Sequence, residues 1–197
     1  STVKRCRIVS FDDKQTNFVY RPTIPYGGFN WNVQLSGKPV SDSPFLNNKT
    51  LVYIYLYDYY DATNNAIAEE FFKGCTALVG VYVPSSCTTV GKSAFEGCEK
   101  LEHVWFLDPG IHEYDAQFTT IGERAFYNCK QLKSFSFDKT LNIGKNAFAN
   151  VAQFDEINLK NVEQVNDYAF SNTKINILIF DGDGTIDKRT FLTPSAF

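Results

Sequence analysis

The sequence predicts an α/β repeat solenoid, a curved right-handed stack with a parallel β-sheet on its concave face and short helical or irregular turns on its convex face. Two observations carry this prediction. One set of apolar spacings recurs along most of the 197 residues. The apolar residues are also skewed, with 18 Phe and 11 Tyr against no Met.

The repeat is clearest from Ile121, where IGERAFYNCKQLKSFSF puts Ile121, Phe126, Cys129, Leu132, Phe135 and Phe137 at offsets 0, 5, 8, 11, 14 and 16. The same offsets start at Val90 (Phe95, Cys98, Leu101, Val104, Phe106) and at Ile67 (Phe72, Cys75, Leu78, Val81, Val83). They start again at Ile143 (Phe148, Val151, Phe154, Ile157, Leu159) and at Val40 (Phe45, Asn48, Leu51, Ile54, Leu56). From Val165 the copy reaches Phe170 and then drops one residue, leaving Ile175, Leu178 and Phe180 as its strand positions. A truncated last copy reads Ile186, Phe191 and Phe197.

Each part of the unit follows from its pattern. Offsets 11, 14 and 16 spell L-x-x-I-x-L, whose last two positions alternate as a short strand does. Phe at offset 5 follows a small residue, as in Ala94-Phe95 and Ala125-Phe126, which suits a short helical turn that packs its ring inward. One unit cannot bury these residues alone, so copies must stack, strand beside strand about 4.8 Å apart. The starts near 40, 67, 90, 121, 143, 165 and 186 give periods of 21 to 31 residues, in the range of leucine-rich repeats.

The string A-F-x-x-C-x-x-L-x-x-(I/V/F)-x-(L/V/F) with a preceding (I/V)-G resembles the BspA-like leucine-rich repeats of bacterial and protozoan surface proteins. The resemblance covers residues 40–197, with Asn48 and Val151 replacing Cys. It implies a secreted or surface-displayed protein engaged in adhesion or host interaction. Residues 1–39 read as an N-terminal cap, where Val19, Ile24, Val33 and Leu35 hint at a degenerate first repeat and Trp31, Val33 and Leu35 suit a strand.

The rest of the chemistry is sparse. Five cysteines in a chain this long do not form a disulfide scaffold, and neither they nor the two histidines show zinc-site spacing. Cys75, Cys98 and Cys129 share offset 8 and are expected to be buried thiols donating to backbone carbonyls, with Asn48 their amide equivalent. Cys6 and Cys87 fall outside that ladder. A net charge of −3 argues against nucleic acid as a partner, and no run approaches the roughly 20 apolar residues of a membrane helix. The absence of Met marks a segment without its start residue, so any targeting signal is expected to have been removed. Asp181, Asp183 and Asp187 lack the distal Glu of a calcium loop and read as a turn between repeats. Asn48-Lys49-Thr50 is a formal glycosylation sequon at a position expected to be buried. Phosphate loops, nucleophile elbows and zinc-protease helices are absent, so neither enzymatic activity nor a cofactor is expected.

The informative positions are offsets 13 and 15, which point away from the core along the concave sheet. Tyr53, Tyr55, Tyr82, His103 and Trp105 occupy them in the first three clear copies, with Tyr57 beside them, whereas Ser134, Ser136, Glu156 and Asn158 follow. Two long copies carry surplus residues after the strand, Asp58 to Asn65 and Leu107 to Thr120. These are expected on one rim, adding Tyr59, Tyr60, His112 and Tyr114 to the aromatic patch. Tyr and Trp offer rigid area with a polar tip, suited to an extracellular or host protein and, second, to a glycan. The alternatives are cross-strand stabilisation of the sheet and a structural spacer within a larger surface protein.

Overall fold

The computed structural model describes residues 6–10, 17–22, 45–56, 66–84, 87–107, 113–115, 117–179 and 197. The stacked repeats build two long walls. One is a six-stranded sheet of β1 (Cys6–Ser10), β2 (Asn17–Pro22), β3 (Tyr53–Leu56), β5 (Gly80–Pro84), β7 (His103–Leu107) and β8 (Glu113–Asp115), adjacent in that order. The other is a five-stranded parallel sheet of two-residue strands, β4 (Ala66–Ile67), β6 (Thr89–Val90), β9 (Thr120–Ile121), β10 (Asn142–Ile143) and β12 (Gln164–Val165). Each of these ends on the offset 0 residue, which is buried in every copy from Ile67 to Val165. A separate pair, β11 (Gln153–Asn158) and β13 (Lys174–Ile179), pairs in parallel with Phe154 against Ile175 and Ile157 against Leu178. That register shows the one-residue deletion after Phe170.

Between the walls the Phe rings form a column. Phe45, Phe72, Phe95, Phe126, Phe148 and Phe170 stack in turn with centroids 5.1 to 5.5 Å apart. Phe197 continues the column on Phe170 at 5.5 Å and 11°, the place expected for Phe191. Its Ala196-Phe197 pair matches Ala125-Phe126 and Ala147-Phe148 in sequence. Phe191, Phe180 and Asp181 to Asp187 lie outside the described residues.

The convex wall is turns, with no helix among the described residues. Two residues per unit take positive φ: offset 3 (Glu70, Ser93, Arg124, Asn146, Tyr168) and offset 7 (Asn47, Gly74, Gly97, Asn128, Asn150, Asn172). A left-handed residue at both places interrupts any helical run. Backbone N–H groups at offsets 4, 6 and 8 close local turns, as in Ala94 to Gly91, Glu96 to Ser93 and Cys98 to Phe95. Those at offsets 3, 5 and 7 donate to carbonyls at offsets 2, 4 and 6 of the following unit, as in Ser93 to Glu123, Phe95 to Ala125 and Gly97 to Tyr127. The wall is thus held between units as much as within them.

Side chains extend this ladder. Asn150 Nδ2 donates to Asn128 Oδ1 at 2.9 Å, and Asn172 Nδ2 to Asn150 Oδ1 at 3.1 Å. Gly97 ends the row although a Cβ there would meet only Gly74 backbone, at 3.8 Å. Asn tolerates left-handed backbone. Gly97→Asn is therefore expected to lengthen the amide row and stabilise the protein by about 0.5–1 kcal/mol, measured as a higher urea midpoint. An unchanged or lower midpoint would count against an energetic role for the row.

The N-terminal region differs from the expected register. β1 and β2 form an antiparallel hairpin, and β2 pairs in parallel with β3, Phe18 beside Ile54 and Tyr20 beside Leu56. Ile24, Trp31, Val33 and Leu35 lie outside the described residues. Val19 pairs with Tyr55, a strand position rather than the start of a unit.

The sheet also breaks in the middle. Nine surplus residues precede Ile121, and part of them, β8, pairs antiparallel with β7, Trp105 opposite Asp115 and Phe106 opposite Tyr114. This insertion was expected on the rim, but β8 takes the edge of β7 that the next repeat strand would use. The segment 133–137 forms no strand: Ser136 makes an isolated parallel bridge to Gln117, and Lys133 N donates to Glu102 O at 3.1 Å. The six-stranded sheet and the β11–β13 pair are consequently separate.

Candidate functional site

Strands β3, β5 and β7 run in register, with Tyr53, Gly80 and His103 in one outward column and Tyr55, Tyr82 and Trp105 in the next. Period-two alternation turns Ile54, Val81 and Val104 into the core, where each is buried, and leaves Tyr53, His103 and Trp105 on the opposite face, half-buried. Gly80 makes room for its neighbours: a Cβ there would lie 2.8 Å from Trp105 and 2.9 Å from Tyr53, so the two rings lean over its bare backbone.

Trp105 is the hub. Its ring stacks on Tyr82 at 4.7 Å and on His103 at 4.6 Å, forming a continuous row. Tyr82 is only 7% exposed, whereas Tyr53, His103 and Trp105 are half-buried. His103 Nδ1 lies 3.3 Å from Ser134 Oγ, and Nε2 lies 4.0 Å from Glu102 Oε2, which also binds Lys133. The imidazole thus stands where the aromatic half of the sheet meets Ser134 of the following unit.

Of the other expected site residues, Tyr55 is placed by its pairing with Tyr82, and Tyr114 stands opposite Phe106 in β8. Tyr57, Tyr59, Tyr60 and His112 lie outside the described residues. Below the break a groove is lined by Glu102, Leu132, Lys133, Gln153 and Asp155.

The thiols occupy structural places. Cys75, Cys98 and Cys129 donate through Sγ to the offset 5 carbonyls of the preceding unit, Phe45, Phe72 and Phe95, at 2.9, 3.0 and 3.2 Å. Thr173 does the same toward Phe148 at 2.7 Å, so a hydroxyl fills the slot that a search for Cys passes over. Asn48 departs from expectation. It is half-buried, and its Oδ1 accepts from the Thr50 and Leu51 amides, capping its own turn. Cys87 belongs to a second column three residues before each start, with Phe118, Thr140 and Val162, all buried. Thr140 satisfies itself there by donating to Phe118 O at 2.8 Å.

Burial disfavours thiolate, pushing Cys87 up to about 12 and raising Cys98 and Cys129 as well. Titration of the native protein with a disulfide reagent at pH 8 should report no fast reaction at the buried Cys75, Cys87, Cys98 and Cys129, and five thiols after denaturation. Two or more fast-reacting thiols in the native state would contradict this placement. Among the described residues no group of three or more His, Cys, Asp or Glu could hold a metal ion. No described helix is long and apolar enough to cross a membrane.

Parallel strands on one wall, a stacked Phe column and a turn wall in units of about 22 residues define a leucine-rich-repeat solenoid. The model of the BspA type leucine-rich repeat region matches residues 65–195 in six copies, and the chain belongs to that family. A leucine-rich repeat protein from Bacteroides ovatus ATCC 8483 is similar in structure, at TM-score 0.52 and 20% identity over 91% of this chain and 40% of the other. Another from Eubacterium ventriosum ATCC 27560 aligns at TM-score 0.55 and 18% identity over 87% of this chain and 41% of the other. The chain spans about two fifths of the length of both. No curated protein matches it.

Proposed function

We propose that this chain is a non-enzymatic recognition module of a secreted or surface-displayed protein, acting in adhesion or host interaction through the open face of β3, β5 and β7. One observation carries the reading: the stacked row Tyr82–Trp105–His103, with Tyr53 leaning over Gly80, on the outward columns of a rigid parallel sheet. Half-buried Tyr53, His103 and Trp105, held on strands and backed by the buried Tyr82, lose little entropy on binding, which favours a protein partner over a glycan. Membership of a repeat family whose units are scaffolds for interaction supports the same reading.

The test is binding of the intact chain to a panel of extracellular-matrix proteins and a glycan array, beside Trp105→Ala and the double variant Trp105→Ala, His103→Ala. Loss of a protein ligand by tenfold or more, with a cooperative melt retained, is the expected result. Undiminished binding by the double variant would sink the assignment, and binding to glycans alone would reverse the choice of partner. A second reading, a rigid spacer, is favoured by the burial of Tyr82 and by rings that satisfy one another across strands. It forecasts a loss of stability in these variants with no interaction lost.

A further inference from the structure

We infer that the edge of β7 is a strand-exchange site, for which β8 and the repeat segment Ser134–Phe137 compete, and that release of β8 closes the two concave sheets into one. The repeat lattice defines the missing pairing. β5 sets Gly80, Val81, Tyr82 and Val83 beside His103, Val104, Trp105 and Phe106, and one unit on, the same register sets these beside Ser134, Phe135, Ser136 and Phe137.

The structure follows that register up to a fork. Lys133 N donates to Glu102 O at 3.1 Å, as Glu102 N does to Val79 O at 2.9 Å one unit earlier. His103 and Ser134 are still neighbours, with Nδ1 and Oγ 3.3 Å apart. From Trp105 onward β8 lies against β7 instead, and the bridge of Ser136 is to Gln117. The two chains separate within two residues.

Closure needs little rearrangement of side chains. Phe137 is buried and Phe135 packs against the core, so the Ser-Phe-Ser-Phe alternation already faces the way a strand requires. A sideways shift suffices, with no change of face. The exchange trades the three antiparallel pairs of β8 for a parallel strand that can also reach β11, whose one strand partner is β13. Backbone groups at a sheet edge favour such completion. Trp105, now opposite Asp115, would then stand beside Ser136, so the exchange would alter the outer margin of the aromatic row.

Native-state hydrogen exchange by NMR on the full chain tests this, comparing wild type with Tyr114→Pro, which removes a ladder donor and disfavours β8 at constant length. The amides of Phe135–Phe137 should gain at least tenfold protection as the edge passes to the repeat strand. Lost protection at Trp105–Leu107 with no gain at Phe135–Phe137 would overturn the proposal. A second variant, deleting 109–117, restores the 22-residue spacing between Val90 and Ile121. Cross-strand nuclear Overhauser contacts between Trp105 and Ser136 in that variant support the exchange. A folded deletion variant without them, or failure of both variants to fold, refutes it.

Discussion

Replacing Phe126 by alanine is expected to destabilise the protein by about 4 kcal/mol, within the 3–5 kcal/mol that truncation of a buried Phe usually costs. Phe126 is fully buried and lies near the middle of the ring column, stacked at 5.1 Å on both Phe95 and Phe148 and meeting Phe135 edge-on at 5.2 Å. Both neighbours are fully buried too, so little can collapse into the space. In a one-dimensional array stability is largely a sum of unit and interface contributions. The substitution weakens two interfaces at once and should also make the two halves unfold less cooperatively. Urea unfolding followed separately by Trp fluorescence and circular dichroism checks this. Coincident transitions with a loss under about 1.5 kcal/mol would mean that the column is not what couples the units.

The second large effect is expected at Gly122, where alanine should cost about 3 kcal/mol, in the range of overpacked cores. A Cβ there would lie 2.7 Å from Gly91 C and Lys92 N and 2.9 Å from Val90 O. All three are backbone atoms of the preceding unit, so no side chain can swing away. Gly91 and Gly144 face the same constraint, at 2.7 and 2.6 Å. The glycine of the (I/V)-G pair is therefore a spacing requirement, which lets Gly122 N reach Val90 O at 2.8 Å and hold β6 against β9. Asn166 occupies this offset in the following unit, where its Nδ2 donates to Ile143 O at 2.8 Å, so that junction has its own solution. Thermal melts of Gly122→Ala beside Gly97→Ala give the control, since a Cβ at Gly97 would make only ordinary contact with Gly74, at 3.8 Å. Gly97→Ala meets only the backbone cost of positive φ, about 1–2 kcal/mol. Equal losses at the two sites would remove the packing explanation.

The fold was legible wherever a residue's place is set by its own unit. Phe at offset 5, the offset 8 thiols and the alternating strands repeat because each faces an equivalent neighbour one unit away. Of the two expected forms of the convex turn, helical or irregular, the described residues take the irregular one for a local reason. Spacings of three between offsets 5, 8 and 11 mimic a helix, but the Gly/Asn column from Asn47 to Asn172 signals left-handed backbone in every unit. The place of Phe197 was legible in its Ala-Phe pair. The division of the sheet was not, because Ser-Phe-Ser-Phe is a sound strand sequence and loses the edge of β7 only to a segment that precedes it in the chain. The aromatic columns of the candidate site were legible as a register. The depth of Tyr82 was not, since it depends on how Trp105 turns over Gly80.

Three rows of backbone hydrogen bonds on the convex wall run one way. In each of the four junctions from Ile67 to Val165, N–H groups at offsets 3, 5 and 7 point toward the C-terminal end and carbonyls at offsets 2, 4 and 6 point back. Three rows of peptides, each peptide with a dipole of about 3.5 D, are therefore aligned along the stack like those of a helix, although the described residues form none. The wall acts as an electret whose C-terminal pole is positive and whose N-terminal pole is negative. Two such walls can join pole to opposite pole but not like to like, so further units, or further copies, can extend this wall in one polarity only.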